Sequence, residues 1–142
     1  MNIILFGPPG AGKGTQADFI AKTFNLHKVS SGDLLRNEVK NNTDFSHKIK
    51  SLLDKGSLVS DKIIDEIVEK ILLDKKINTR LIFDGYPRNI NQAKRLDSIT
   101  KSLSIKKSHV FSLEVNKETI IKRILGRQIC SKCGLIFNKY FN

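Results

Sequence analysis

The stretch GPPGAGKGTQ, residues 7–16, gathers Gly7, Gly10, Gly12 and Gly14 around Lys13, with a hydroxyl at Thr15. Glycines at this density let backbone N–H groups converge on an anion, and a helix starting there adds its positive N-terminal dipole. Lys13 supplies a mobile point charge suited to β- and γ-phosphates. The chemistry is nucleotide phosphate binding by Gly10, Ala11, Gly12, Lys13, Gly14 and Thr15. The stretch departs from the usual loop G-x-x-x-x-G-K-[ST], because Gly14 follows the lysine and the hydroxyl comes one position late. That shift turns a side chain by about 100° on a helix, so Thr15 is expected to face a phosphate oxygen rather than a metal. Mg²⁺ must then be supported through its water ligands by carboxylates, which it tolerates well. Asp84, at the carboxyl end of a strand, is the first candidate and Asp33 the second.

These residues need a scaffold, and the hydrophobic pattern supplies one. NIILF (2–6) is a continuous apolar run, as in a parallel strand covered on both faces. Ala17, Ile20, Ala21 and Phe24 recur at helical spacing, so a helix starts near Lys13. HKVS (27–30) reads as a short strand, and Ser30, Ser31, Gly32 and Asp33 open a second helix. Residues 41–57 are polar and helix-like. Ser60 caps an amphipathic helix whose stripe is Ile63, Ile64, Ile67, Val68, Ile71 and Leu72. RLIFDGYPR (80–88) is a buried strand followed by a turn, residues 89–99 are helical, and HVFSLEV (109–115) is a further strand. Asn116 caps a last helix carrying Ile120, Ile121, Ile124 and Leu125. Alternating strands and helices imply an α/β fold with a parallel sheet and right-handed crossovers.

The bulk properties narrow the class. The 142 residues make about one domain, with 39% hydrophobic and 27% charged residues. No run of 18 apolar residues exists to cross a membrane as a helix. The N-terminus lacks a basic region and its apolar run stops at Phe6, so it reads as a strand rather than a secretory signal. A cytoplasmic location is expected. The formal charge of +11 raises the question of nucleic acid. The basic residues are scattered and not interleaved with aromatics, so they are read as a solvated surface and no nucleic-acid partner is expected. Cys130 and Cys133 are too close together to frame structural disulfides.

GPPGAGKGT (7–15), SSGDLLR (30–36), GSLVSD (56–61), DGYPRNINQA (84–93) and RILGR (123–127) together resemble the adenylate kinases, in order and in spacing. The resemblance implies a P-loop nucleoside-monophosphate kinase fold and transfer of the γ-phosphoryl of Mg-ATP to AMP, giving two ADP. Arg36 and Arg88 would clamp the AMP phosphate, since guanidinium forks suit phosphate oxygens. Gln92 would read the adenine edge, where the related UMP/CMP kinases place asparagine. Ser31, Ser57, Leu58, Val59 and Gly85 would complete the AMP site. Arg123 would pack on the ATP base and Arg127 reach phosphate, the pair sharing one helix face at i,i+4 spacing. Lys13, Asp84, Arg88, Arg123 and Arg127 form the implied catalytic set.

The family's organisation implies a core over 1–29, an AMP-binding flap over 30–59, more core over 60–125, and the start of a lid over 126–142. Cys130 and Cys133 lie where some members begin a zinc-binding lid. A structural zinc site needs four ligands, so the pair would be half of one in a longer parent. The resemblance covers roughly the first two-thirds of a family member. It implies a sheet lacking its last strand and helix, and a site lacking two lid arginines. ATP and AMP are the expected partners, and a monomer the expected state. Two other readings stay open: a kinase for another nucleoside monophosphate, and a fragment that binds nucleotide without turnover.

Overall fold

The computed structural model of the chain describes residues 1–39, 46–47, 49–51, 59–106, 108–132 and 136–141, with the side chains of Arg36 and Ile136 outside that description. The apolar run after Asn2 becomes β1 (Ile3–Phe6), and the glycine-rich turn leads into α1 (Lys13–Phe24). β2 (His27–Ser30) and α2 (Ser31–Val39) follow, then α3 (Asp61–Leu73), β3 (Leu81–Asp84), α4 (Ile90–Ser102), β4 (His109–Ser112) and α5 (Lys117–Leu125). A hairpin of β5 (Arg127–Ile129) and β6 (Ile136–Asn138) comes last.

Strands β1 to β4 form one parallel sheet in the order β2-β3-β1-β4. The register sets Leu5 and Ser30 against Asp84, and Phe6 against Ser112, so all four strands end on the same edge. From β1 the chain travels past β3 to reach β2, whereas from β3 it travels the other way, past β1 to β4. Right-handed crossovers in opposite directions put the two connections on opposite faces. A crevice therefore opens outside the carboxyl ends of β1 and β3, where ligands bind in such sheets.

Side chains alternate across the sheet as strand geometry requires. Ile4, Val29, Leu81 and Phe83 pack with Ile64, Val68 and Leu72 of α3 and with Leu96 and Ile99 of α4. Ile3, Leu5 and Ile82 point to the other face, against Ala17 of α1 and Leu26. Ile49 is fully buried against Ile63 and Ile67. Buried Asn2 ties the start of the sheet together: its Nδ2 donates to the Asn78 carbonyl at 2.8 Å, and its Oδ1 accepts from Leu81 N at 2.9 Å. Phe83 is 1% exposed at the centre of the larger cluster. Phe83→Ala should cost about 3–5 kcal/mol, read as a lower midpoint in urea unfolding; an unchanged midpoint would mean that this cluster does not hold the sheet.

Two expectations need correction. The strand expected over 109–115 ends at Ser112. Ser60 stands at the α3 N-cap, but its hydroxyl makes no capping bond; its carbonyl accepts from Ile63 N and Ile64 N instead. Asn116 does cap α5, its Oδ1 accepting from Thr119 N at 2.8 Å. On α5, Ile121, Ile124 and Leu125 are 46%, 50% and 69% exposed, so much of its apolar stripe stays open, while Ile120 and Ile124 lie close to Gly10 of the phosphate loop. β4 likewise pairs only with β1 among the described strands, leaving Val110 and Phe111 on an open edge of the kind that invites further pairing. The helix-like stretch 41–57 lies mostly outside the described residues; 46–47 and 49–51 are helical.

Candidate functional site

The turn after β1 delivers Lys13 to the carboxyl edge of the sheet. Gly12 caps α1 with φ 94°, a left-handed conformation that costs a residue with a Cβ but not glycine, and no side chain occupies the capping position. The first N–H groups of α1 are thus left to an anion, as in phosphate-binding turns. Lys13 Nζ donates to the carbonyls of Gly7 at 2.8 Å and Pro8 at 3.0 Å, folding the side chain back over its own loop.

The glycine after the lysine has a steric reason. A Cβ on Gly14 would lie 3.3 Å from Asp84 Oδ2, tighter than ordinary van der Waals contact. The start of α1 is pressed against the end of β3, and a serine or threonine at position 14 would crowd that carboxylate. Asp84 therefore faces the loop where the usual hydroxyl would stand. Thr15 is exposed beside it and lines the same cavity.

Two cavities meet at Lys13. The larger, about 700 Å³, is walled by the phosphate loop, Asp84, Arg123, Arg127 and the apolar side chains of Leu113, Val115, Phe137 and Phe141. The smaller, about 400 Å³, is walled by Leu5, Phe6, Gly7, Gly85, Pro87 and Arg88; Pro9 and Lys13 belong to both. A cationic side chain thus stands between two openings, each with an arginine of its own.

The smaller cavity's polar wall comes from the turn after β3. Gly85, at φ 78°, lets the chain double back so tightly that a Cβ would meet Ser31 Oγ and Arg88 Nη2, each at 3.1 Å. Ser31, 2% exposed, donates from Oγ to the Gly85 carbonyl at 3.0 Å and accepts from Arg88 Nη2 at 2.8 Å. Arg88 Nε donates to the same carbonyl at 2.7 Å. Ser31, Gly85 and Arg88 are brought together as expected from their motifs. Gln92 is 2% exposed, with its Oε1 accepting from Arg88 N at 2.7 Å and its Nε2 donating to Asp61 Oδ1 at 2.6 Å. Val59 packs partly buried against the core. Ser57 and Leu58 lie outside the described residues, as does the side chain of Arg36, whose backbone belongs to α2.

Arg123 and Arg127 both line the larger cavity, but not from one helix face. α5 ends at Leu125 with Gly126 as its C-cap, and Arg127 begins β5. Gly126 is hemmed in, since a Cβ there would meet the Lys122 carbonyl at 2.9 Å and Tyr140 Cδ2 at 2.6 Å. The hairpin packs so closely on the helix end that the helix stops. Arg123 Nη1 donates to the Ala11 carbonyl at 3.2 Å, and its guanidinium lies 5.6 Å from the Phe141 ring centroid. Asp33 sits in the first turn of α2, its N–H donating to Ser30 Oγ at 3.4 Å, and among the described residues lining the cavities Asp84 is present and Asp33 is not. Cys130 directly follows β5, and Cys133 is outside the described residues; among the described residues no three His, Cys, Asp or Glu side chains gather into a metal site.

Motif reading alone did not foresee Asp61, Asn89, Phe137 or Phe141. Asp61 had only the signature of a helix start, and its partner Gln92 lies 31 residues on. The turn's tyrosine is also committed: Tyr86, 1% exposed, donates to Asp65 Oδ1 at 2.7 Å. Burial first, then the neighbouring Asp65 carboxylate, push its phenol far above the ordinary range, so it stays a neutral donor.

The family model described as Adenylate kinase matches residues 5–138. The chain is 47% identical over 142 residues to the adenylate kinase of Pelagibacter ubique, covering 100% of this chain and 67% of that protein. It is 44% identical over 138 residues to that of Caldicellulosiruptor bescii, covering 97% and 64%. It is 42% identical over 143 residues to that of Lactococcus lactis, covering 100% and 66%. The chain thus spans about two thirds of the length of the curated relatives it matches.

Proposed function

The chain belongs to the adenylate kinase family, and from that premise we propose that it binds ATP and AMP on either side of Lys13 and transfers the γ-phosphoryl group between them. The observation that carries the reading is the pair of cavities sharing Lys13, one walled by Arg123 and Arg127 and the other by Arg88. The larger takes the ATP, its phosphates on the loop N–H groups and its base beside Arg123 and the apolar wall. The smaller takes the AMP phosphate, between Arg88 and Arg36. Gln92, Gly85 and Ser31 with residues 57–59 form the rest of the AMP site.

Phosphoryl transfer asks little covalent chemistry of a protein: reacting oxygens must be in line and the charge on the moving group must be met. AMP's phosphate oxygen is already anionic, so no general base is needed. Lys13 leaves the carbonyls of Gly7 and Pro8 and follows the transferred group, while Arg88 keeps the acceptor oriented. The donor set fits Mg²⁺, since Asp84 offers hard oxygen beside Gly14. Bound with ATP, Mg²⁺ would supply positive charge that offsets the negative charge developing on the transferred group. Asp84 would hold its water ligands, with Asp33 in support. Cys130 and Cys133 are proposed as two ligands of a structural zinc site, which takes four. A core over 1–29 and 60–125, an AMP flap over 30–59 and a lid from 126 are the proposed division. A cytoplasmic monomer without a nucleic-acid partner is the proposed setting; among the described residues no helix is long and apolar enough to cross a membrane.

A second reading, nucleotide binding without turnover, rests on the β4 edge, open among the described strands, and on the half-exposed apolar side chains of α5. Thermal melting of the chain with AMP, CMP, UMP or GMP tests the acceptor site that both readings share. A ligand at a hundred times its dissociation constant adds about 2.7 kcal/mol to folding stability. AMP should raise the transition far more than the other three. Equal shifts, or none, would overturn the assignment of the acceptor site.

A further inference from the structure

We infer that Asp61 is a positioning residue that fixes which way the Gln92 amide points, and so makes the acceptor site select a purine that donates from its 6-position and accepts at N1. The inference rests on the reading of Gln92 as part of that site. An amide can be turned over in place, exchanging its donor and acceptor ends, so a glutamine by itself suits either purine pattern. Here both ends are pinned. Oε1 accepts from Arg88 N at 2.7 Å, a group that can only donate, and Nε2 donates to Asp61 Oδ1 at 2.6 Å, a carboxylate that can only accept when ionised. Turning the amide over would break both bonds and set its oxygen against the carboxylate.

The carboxylate is itself held. Asn89 Oδ1 accepts from Gln92 N at 2.9 Å as the α4 cap, which forces its Nδ2 toward Asp61 Oδ2, at 2.8 Å. After these commitments the Gln92 amide retains one N–H and one lone pair. Adenine offers an N1 acceptor and a 6-amino donor to match. Hypoxanthine differs only on that edge, with an N1–H donor and a 6-oxo acceptor, and meets the fixed amide with donor against donor and acceptor against acceptor. Gln92 is 2% exposed, so the elements covering it must part before a base edge reaches it.

The test is the ratio of the dissociation constants of AMP and IMP for the purified chain, unmutated and as Asp61→Asn. Asparagine at position 61 has one oxygen for two donors. When that oxygen serves Asn89, its NH₂ faces Gln92 and no longer opposes the reversed amide, leaving the Arg88 N–H alone to hold the native orientation. The preference for AMP over IMP should fall by about tenfold or more, the equivalent of one charge-assisted hydrogen bond, while general loosening of the site would weaken both ligands alike. Gln92→Ala separates this inference from the reading beneath it. If Gln92→Ala leaves the AMP preference whole, the reading of the site is overturned and this inference with it. If Gln92→Ala abolishes the preference and Asp61→Asn leaves it whole, this inference alone falls. A measurement on the unmutated chain holds even if Asp61→Asn fails to fold: the ¹⁵N-resolved Gln92 side-chain NH₂ should show one proton protected from exchange, and a pair exchanging as fast as a free glutamine's overturns the proposal.

Discussion

Replacing Lys13 by methionine should lower ADP formation by about 10²–10³-fold, the loss seen when one preorganised donor to a developing charge is removed. AMP affinity should change little. The asymmetry follows from where the ammonium rests. Its Nζ sits on the carbonyls of Gly7 and Pro8, at 2.8 and 3.0 Å, and not against Arg88 or Ser31. It lines both cavities while belonging to the loop between them, so in the proposed reaction it would act on charge that moves from one side to the other. Interactions made only in the transition state appear in kcat rather than in ground-state binding. Methionine keeps most of the stem's packing and removes the charge. Titrating AMP into the variant and measuring its turnover under saturating nucleotides checks both halves. A loss of AMP affinity as large as the loss of turnover would make Lys13 a binding residue for the acceptor instead.

Arg88→Lys should weaken AMP binding by about 10–100-fold, the equivalent of losing one or two hydrogen bonds to a charged group, and leave ATP binding unchanged. Two of the guanidinium's N–H groups are spent on the protein: Nε on the Gly85 carbonyl and Nη2 on Ser31 Oγ. Those bonds lock the plane of the fork and leave three of its five donors, which in the proposed acceptor site would take phosphate oxygens. Lysine keeps the charge but offers one centre, which cannot satisfy Gly85, Ser31 and a phosphate together. Ser31 is 2% exposed, so its hydroxyl would also lose a buried partner. Calorimetric titration with each nucleotide separates the sites. Equal weakening of ATP and AMP would show that the two cavities do not divide the nucleotides between them.

What could be read from the chain alone tracks how local the signal is. The glycines and Lys13 encode a turn and a helix start within ten residues, and α1 begins at Lys13 as expected. Asp84 and Arg88 could be read because a short apolar strand and a tight turn deliver both to one edge. The reason for Gly14 was not legible, since it depends on a carboxylate seventy residues later whose Oδ2 would lie 3.3 Å from an added Cβ. Arg127 was misplaced because helical periodicity cannot see the hairpin that stops α5 at Leu125. The stripe on α5 had the right period for a buried face, yet period reports only which residues share a face, not how much of it a neighbour covers. The commitment of Gln92 to Asp61 joins two helix starts that the sequence separates, and only their packing puts the carboxylate against the amide.

The measurement that bears most directly on phosphoryl transfer across Lys13 is ³¹P NMR of the purified chain with Mg-ATP, with and without AMP. The site predicts ADP resonances that grow only when AMP is present, reach an equilibrium with ATP and AMP, and release no inorganic phosphate. ATP that stays unchanged beside AMP, or that yields inorganic phosphate at the same rate with or without it, would contradict transfer between the two cavities.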